Sequence, residues 1–494
     1  MKKGIVQYMR NHFLSPFNGG MGWLFLLLLF CVSCDDYDSW TTNPSSQLTL
    51  SKDTVAFDTL ITNQGSATKT LILFNHNDKG LRIRQVELAQ GAASPFHVNV
   101  DGQYLYGGVG EDFEVRRKDS IYVRIEVKLP AMDSDDIHDY KDELYFTLES
   151  GMRQKVVLTA SGMDVIILRG ETITANRTLD AHRPYLVYDS LVVAPNVTLT
   201  LPEGCTLMFH DWTSLLVRGT LVANGTLEKP VTFRGDRVDR MFDNLPYDNT
   251  PNRWGGIHFF AESTNNVLTQ CDIHGGDYGI VCDSIAFTET TTPLLVMENS
   301  VVHNIGGTGL SLTHCMTRFV GTQISNTRGQ CVRLMGGAHQ FIHCTIAQFY
   351  PFSANRGDAL FLTNHEGDTP YPFVWCDFLN CVITGYADDV VMGDIVESDE
   401  EHCNFLFQNC LLRTVVSDDA TRFVNVTFES PETEAKEHFV LFDTKNFLYD
   451  FAPKPESAIR GIADSEFALM FPTDRRGTNR MSDGAPDAGA YEGK

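Results

Sequence analysis

The chain has 494 residues, with 63 Asp and Glu against 39 Lys and Arg, for a formal net charge of −24 at neutral pH. So acidic a surface repels phosphate polymers and argues against nucleic acid as a partner. The length is enough for two or three domains with substantial cores.

Residues 1–33 read as a targeting segment. Lys2, Lys3 and Arg10 form a positive start, and Trp23 to Phe30 is an apolar core too short to span a bilayer. The segment ends Cys31-Val32-Ser33-Cys34, which resembles the lipobox of bacterial lipoproteins and implies Cys34 as a lipidated new N-terminus. Cys31 departs from the family, which usually has Leu there; plain secretion with Cys34 as an ordinary thiol is the alternative. Within the linker 34–46, Asp35, Asp36 and Asp38 resemble the surface-export signal of Bacteroidetes lipoproteins, or are simply a solvated acidic stretch. Without residues 1–33, which hold three basic and no acidic side chains, the formal charge becomes −27.

Residues 47–163 predict a β-sandwich. Thr68–Asn75, Leu81–Leu88, Phe96–Val100, Ser120–Leu129, Glu143–Glu149 and Gln154–Ala160 are candidate strands separated by turn residues. Their order is similar to immunoglobulin-like domains of the abnormal-spindle and choice-of-anchor D groups, which implies a spacer or docking module. Asp133 to Asp139 reads as a solvated loop.

From 164 to 446 the pattern changes. LVVAPNVTLTLPEGCTLMF (Leu191–Phe209), LLVRGTLVANGTLEKPVTF (Leu215–Phe233) and WGGIHFF (Trp254–Phe260) are short apolar strands cut by Gly, Pro and Asn, as a stacked parallel solenoid requires. Pro202, Gly204, Gly219, Gly225, Pro230, Trp254, Gly255 and Gly256 give the run a resemblance to right-handed parallel β-helix proteins of the pectin-lyase-like family. The implied fold class is all-β, an Ig-like sandwich followed by a right-handed parallel β-helix. Asp236–Arg253 reads as a loop hung from one coil.

A weaker repeat follows: LTQCDI (Leu268–Ile273), MENSVV (Met297–Val302), FVGTQI (Phe319–Ile324), FIHCTI (Phe341–Ile346), FLNCVI (Phe378–Ile383), FQNCLL (Phe407–Leu412) and FVNVTF (Phe423–Phe428), at spacings of 29, 22, 22, 37, 29 and 16. The interval of 37 predicts a loop over Tyr350–Pro372, and the interval of 16 predicts the end of the solenoid. Asn299, Asn380, Asn409 and Asn425 are predicted turn residues. The ten cysteines from Cys205 to Cys410 are predicted to be buried free thiols, since no pair has CxxC spacing and no His cluster accompanies them. Residues 447–494, ending in PDAGAYE, resemble the closing segment of secreted β-helix proteins and predict an irregular strap whose Arg475, Arg476, Arg480, Asp483, Asp487 and Glu492 form internal ion pairs.

The fold resemblance implies two catalytic precedents, Ca²⁺-dependent lyases and glycosidases with paired carboxylates. The best local candidate is Asp388 and Asp389, adjacent acids that resemble one piece of the polygalacturonase pattern without its remainder; a solvated loop continued by Asp394, Glu397, Asp399, Glu400 and Glu401 explains the same residues. That loop could hold Ca²⁺ weakly but has no ligand spacing; no metal ligands and no cofactor are predicted. Tyr350, Phe352, Tyr371 and Trp375 bracket the long insertion and are the candidate glycan platform. The expectation is a lipid-anchored outer-membrane or cell-surface protein with a non-catalytic face toward a polysaccharide or surface protein. The alternative is a polysaccharide lyase or glycoside hydrolase.

Overall fold

The computed structural model describes residues 39–242, 244–286, 292–396 and 403–493. Cys34, the acidic residues that follow it up to Asp38, and Glu397, Asp399, Glu400 and Glu401 lie outside the described residues. No helix among the described residues is long and apolar enough to cross a membrane. The chain divides into two compact units: Thr68–Ile125, Glu143–Val156 and the chain up to Asp53 make one, and Thr54–Ala67, Glu126–Asp142 and Val157–Lys494 make the other.

The first unit is antiparallel. Lys69–Phe74 runs beside Ser120–Val127 in a register that sets Leu71 opposite Val123 and Leu73 opposite Ile121, with all four buried. Leu81–Leu88 pairs with Val109–Val115, and its alternation puts Leu81 and Ile83 inside and Arg82 and Arg84 outside. Period-two burial is what a sheet with one dry face demands.

The second unit holds the solenoid, whose coil ladders from Ile166 to Phe428 are parallel, while Arg240–Phe242 with Leu245–Pro246 and His365–Glu366 with Thr369–Pro370 form antiparallel hairpins between coil strands. Each full coil contributes three strands, for example Met316–Val320, Gln323–Thr327 and Val332–Met335. The next coil repeats them as Gly337–Ile342, Thr345–Gln348 and Leu360–Thr363, each hydrogen-bonded to its counterpart. The predicted loop over Tyr350–Pro372 therefore contains a coil strand, Leu360–Thr363, and a short hairpin of His365–Glu366 with Thr369–Pro370. Its few residues between turn signals were too short a run to read as a strand. At the far end Phe423 still stacks on Phe407 and Leu412 still pairs with Phe428, so the last repeat is a rung that closes both ladders.

Each repeat position has one structural task. The third residues, Gln270, Asn299, Gly321, His343, Asn380, Asn409 and Asn425, all have positive φ between 48° and 57°. This left-handed corner turns the chain between the first and second strand of a coil and favours Asn and Gly. A Cβ on Gly321 would also lie 2.4 Å from Asn299 Oδ1. Fourth residues point inward and cap the coil below: Ser300 Oγ accepts from Cys271 N at 2.9 Å, and Cys410 Sγ from Cys381 N at 3.3 Å. First residues stack, with Phe319, Phe341, Phe378 and Phe407 separated by 4.8, 4.9 and 4.8 Å between ring centroids. The ten cysteines are buried, as small apolar residues of the stacked core.

Candidate functional site

Extending the repeat by one residue defines an outward column: His274, His303, Ser325, Ala347, Thr384, Arg413 and Glu429. The register confirms it, pairing His274 with His303, His303 with Ser325, Ser325 with Ala347, and Ala347 with Thr384. The fifth residues, led by Asp272, Val301, Gln323 and Thr345, form a second outward column beside it. A fixed coil height thus turns residues far apart in the chain into neighbours.

The C-terminal segment covers the middle of these columns. Ala490 N donates to Thr345 Oγ1 at 2.9 Å, and Tyr491 Oη donates to Gln323 Oε1. Ala347, Phe349, Phe451, Ala490 and Tyr491 share one apolar cluster. Before that cover begins, the columns lie open in a cleft of about 270 Å³ lined by Asp272, His303, Gln323, Ser325, Phe447, Arg475 and Tyr491.

The floor of the cleft is a chain of titratable groups. Asp272 Oδ1 accepts from His274 Nδ1 at 2.8 Å and from His303 Nε2 at 3.1 Å. His274 Nε2 donates to Asp248 Oδ1 at 2.8 Å, and Arg234 Nη2 reaches the same oxygen at 2.8 Å. The insertion Asp236–Arg253 therefore supplies a carboxylate to the site. Burial opposes ionisation of Asp272, yet the charges of His274 and His303 and their hydrogen bonds hold its carboxyl well below the usual range. For His274, burial favours the neutral ring, but Asp272 and Asp248 outweigh it and push the imidazole up to about 10. Asp248 is likewise held low against its burial, by His274 and Arg234. At neutral pH the floor is an imidazolium between two carboxylates.

On one wall, Arg476 makes a bidentate pair with Asp450 at 2.8 and 3.1 Å and lies over the Tyr491 ring. Arg475 behaves differently: it lines the cleft, its Nε is buried without a hydrogen-bond partner, and no ion pair holds it among the described residues. Of the other strap charges, Asp483 pairs with Arg460 at 2.7 Å, and the buried Arg480 donates to Gly489 O at 3.1 Å.

The residues singled out from sequence lie elsewhere. Asp388 is exposed and receives Arg413 Nη2 at 3.3 Å; Asp389 Oδ1 receives the Thr414 hydroxyl at 2.8 Å. Arg413 itself is buried against Glu429 at 2.7 Å, whose other oxygen takes the Thr384 hydroxyl at 2.7 Å. Asp388 and Asp389 are thus each bound to a different partner at the end of the solenoid. Among the aromatics, Tyr350 is buried and meets Phe352 edge-on at 5.6 Å, and Phe352 stacks at 5.1 Å on Phe447 at the cleft margin. Tyr371 instead tilts against His314 at 5.8 Å, and Trp375 sits half-buried on Phe373–Leu379. Sequence reasoning missed Asp272, His274 and His303, although aligning the repeats LTQCDIH and MENSVVH puts the two histidines at one position.

This architecture and its cleft define a parallel β-helix protein. Residues 232–349 match the family model described as "Right handed beta helix region". No curated protein matches. Among solved structures, an ASH/PapD-like domain of human CEP192 is 16% identical, with 25% of this chain covering 90% of that one at a TM-score of 0.18. A protein of unknown function from Porphyromonas gingivalis W83 is 12% identical over 26% of this chain and 60% of its own, at 0.17. Dex49A from Penicillium minioluteum is 10% identical over 73% of this chain and 67% of that one, at 0.16. Likenesses this low carry no conclusion about function.

Proposed function

We propose that this is an exported, lipid-anchored β-helix protein of the cell envelope that binds an acidic glycan in the cleft above Asp272. The observation that carries the reading is Arg475, a guanidinium that lines the cleft with its Nε buried and unpartnered, beside the amide and hydroxyl of Gln323 and Ser325. A uronate carboxylate supplies the bidentate acceptor that such a fork prefers, and the Phe447–Phe352 stack offers an apolar edge for a sugar ring. The lipid anchor rests on Trp23–Phe30 and Cys34.

Cleavage of the bound glycan is the second reading, a lyase or hydrolase reaction, and Asp272 favours it. A carboxylate kept ionised between two imidazoles on adjacent coils is the kind of group that stabilises the positive charge that develops at a glycosidic centre. One experiment addresses both. The full chain, Arg475→Ala and Asp272→Asn are titrated with uronate oligosaccharides by calorimetry, while release of reducing ends and unsaturated uronates is followed. Binding lost at least tenfold in Arg475→Ala supports the glycan reading; equal binding in both proteins sinks it. Product release abolished by Asp272→Asn with binding kept supports cleavage.

A further inference from the structure

We propose that Asp272, His274 and His303 form a binding site for one divalent transition-metal ion of the zinc type, with an open coordination position facing the cleft. One carboxylate oxygen and one nitrogen from each imidazole lie within 4.8 Å of one another. Asp272 Oδ1 is central, 2.8 Å from His274 Nδ1 and 3.1 Å from His303 Nε2. Zinc holds imidazole nitrogen and carboxylate oxygen at about 2.0–2.2 Å, so side-chain movements of about 1 Å bring all three donors onto a single ion. The ion takes the place of the proton that His274 Nδ1 shares with Asp272; that proton is released to solvent on binding, and Nε2 keeps its own on Asp248.

An independent feature points the same way. A metal-bound histidine commonly gives its second ring N–H to a carboxylate, which fixes the ring and its tautomer. His274 does so, with Nε2 on Asp248 Oδ1 at 2.8 Å, and Asp248 is in turn held by Arg234 at 2.8 Å. The His274 side chain is only 8% exposed, so its ring cannot turn away, whereas His303 at 24% and Asp272 at 32% face the cleft. Three protein ligands with an open side are the arrangement of reactive zinc sites, in contrast to the closed four-ligand structural kind. Two nitrogen donors select a transition metal over Ca²⁺ or Mg²⁺.

The test is metal binding alone, so its failure leaves the glycan reading untouched. The purified full chain, stripped with chelator, is titrated with Zn²⁺ against a chromogenic chelator and with Co²⁺ by visible absorption. One equivalent of Zn²⁺, a Co²⁺ spectrum of low-coordinate type and no displacement by excess Ca²⁺ are expected. His303→Ala and the near-isosteric Asp272→Asn lose the site, while Asp248→Asn weakens it about 10- to 100-fold. His365→Ala, at a separate His–Asp pair 3.4 Å apart, leaves it unchanged. Circular dichroism confirms that each variant is folded; Asp272→Asn decides the matter should His303→Ala not fold. A chain that takes up no Zn²⁺, equal affinity in the folded ligand variants, or displacement by Ca²⁺ overturns the proposal.

Discussion

Asn380 holds Asp464 through both faces of one peptide position: its Oδ1 accepts from Asp464 N at 2.7 Å and its Nδ2 donates to Asp464 O at 3.0 Å. The same residue turns a coil corner at φ 55°. Asn409, one coil on, donates to Ile462 O at 3.1 Å. The corner asparagines thus do more than satisfy their own turns, because they fasten the C-terminal segment to the solenoid.

Separating the two tasks gives the first prediction. Asn380→Gly keeps the left-handed corner and removes the clamp, whereas Asn380→Ala removes both. Either change also removes the contact of Asn380 Nδ2 with His343 Nε2 at 3.0 Å, and the loss of these three hydrogen bonds costs about 2–4 kcal/mol. Hydrogen exchange in Asn380→Gly is expected to rise over 459–470 while the coil strand Val382–Gly385 stays protected. Equal deprotection of both segments would mean that the corner, and not the clamp, is what Asn380 provides.

The aromatic ladder gives the second. Phe341 lies between Phe319 and Phe378 at 4.8 and 4.9 Å, nearly parallel to each. Its truncation leaves a void that neighbouring coils cannot close without breaking register. Phe341→Ala is expected to cost about 3–5 kcal/mol in urea denaturation, and Phe341→Leu markedly less. An alanine variant as stable as the parent would show that the ladder is tolerant.

The same ladder was legible in the sequence because each repeat spends its positions alike: Phe341, His343 and Cys344 recur as Phe378, Asn380 and Cys381. Periodicity reports burial and corner geometry, and those fixed the solenoid. The cleft was not legible for the converse reason. Asp272 and His303 are separated by a coil whose length carries no chemical signature, and their neighbour Asp248 enters from an insertion outside the repeat. Tyr491 comes from the chain's far end to wall the same space. By contrast Asp388 and Asp389 are adjacent in sequence, which caught the eye, yet they sit in the turn between the strands Val382–Gly385 and Val391–Asp394, where the two carboxylates go to Arg413 and Thr414 respectively.

The cysteines provide a third prediction. Burial raises the Cys331 thiol to about 12 and moves Cys376 and Cys381 upward as well. Thiolate is the reacting species, so these groups are inert while the coils are closed. A thiol-specific chromogenic reagent is expected to leave Cys205 to Cys410 unmodified in the native protein and to titrate all ten after denaturation. Fast native labelling at Cys331 or Cys381, located by peptide mapping, would contradict a closed core.

The last prediction concerns pH. Glu492 is buried near Asp487 and Arg480; burial first, and the Asp487 charge second, raise its carboxyl from 4.5 to about 8. The folded chain therefore keeps a proton that the unfolded chain gives up near 4.5. The stability linked to Glu492 is complete below that pH, declines between about 4.5 and 8, and is gone above 8. Glu492→Gln makes the neutral form permanent and cancels that slope. Relative to the parent, the variant is expected to be little changed at about pH 4 and more stable at about pH 9, read as midpoints of denaturant unfolding. A difference that is constant from acid to alkali would place the Glu492 proton elsewhere and show that the carboxylate is ionised inside the fold.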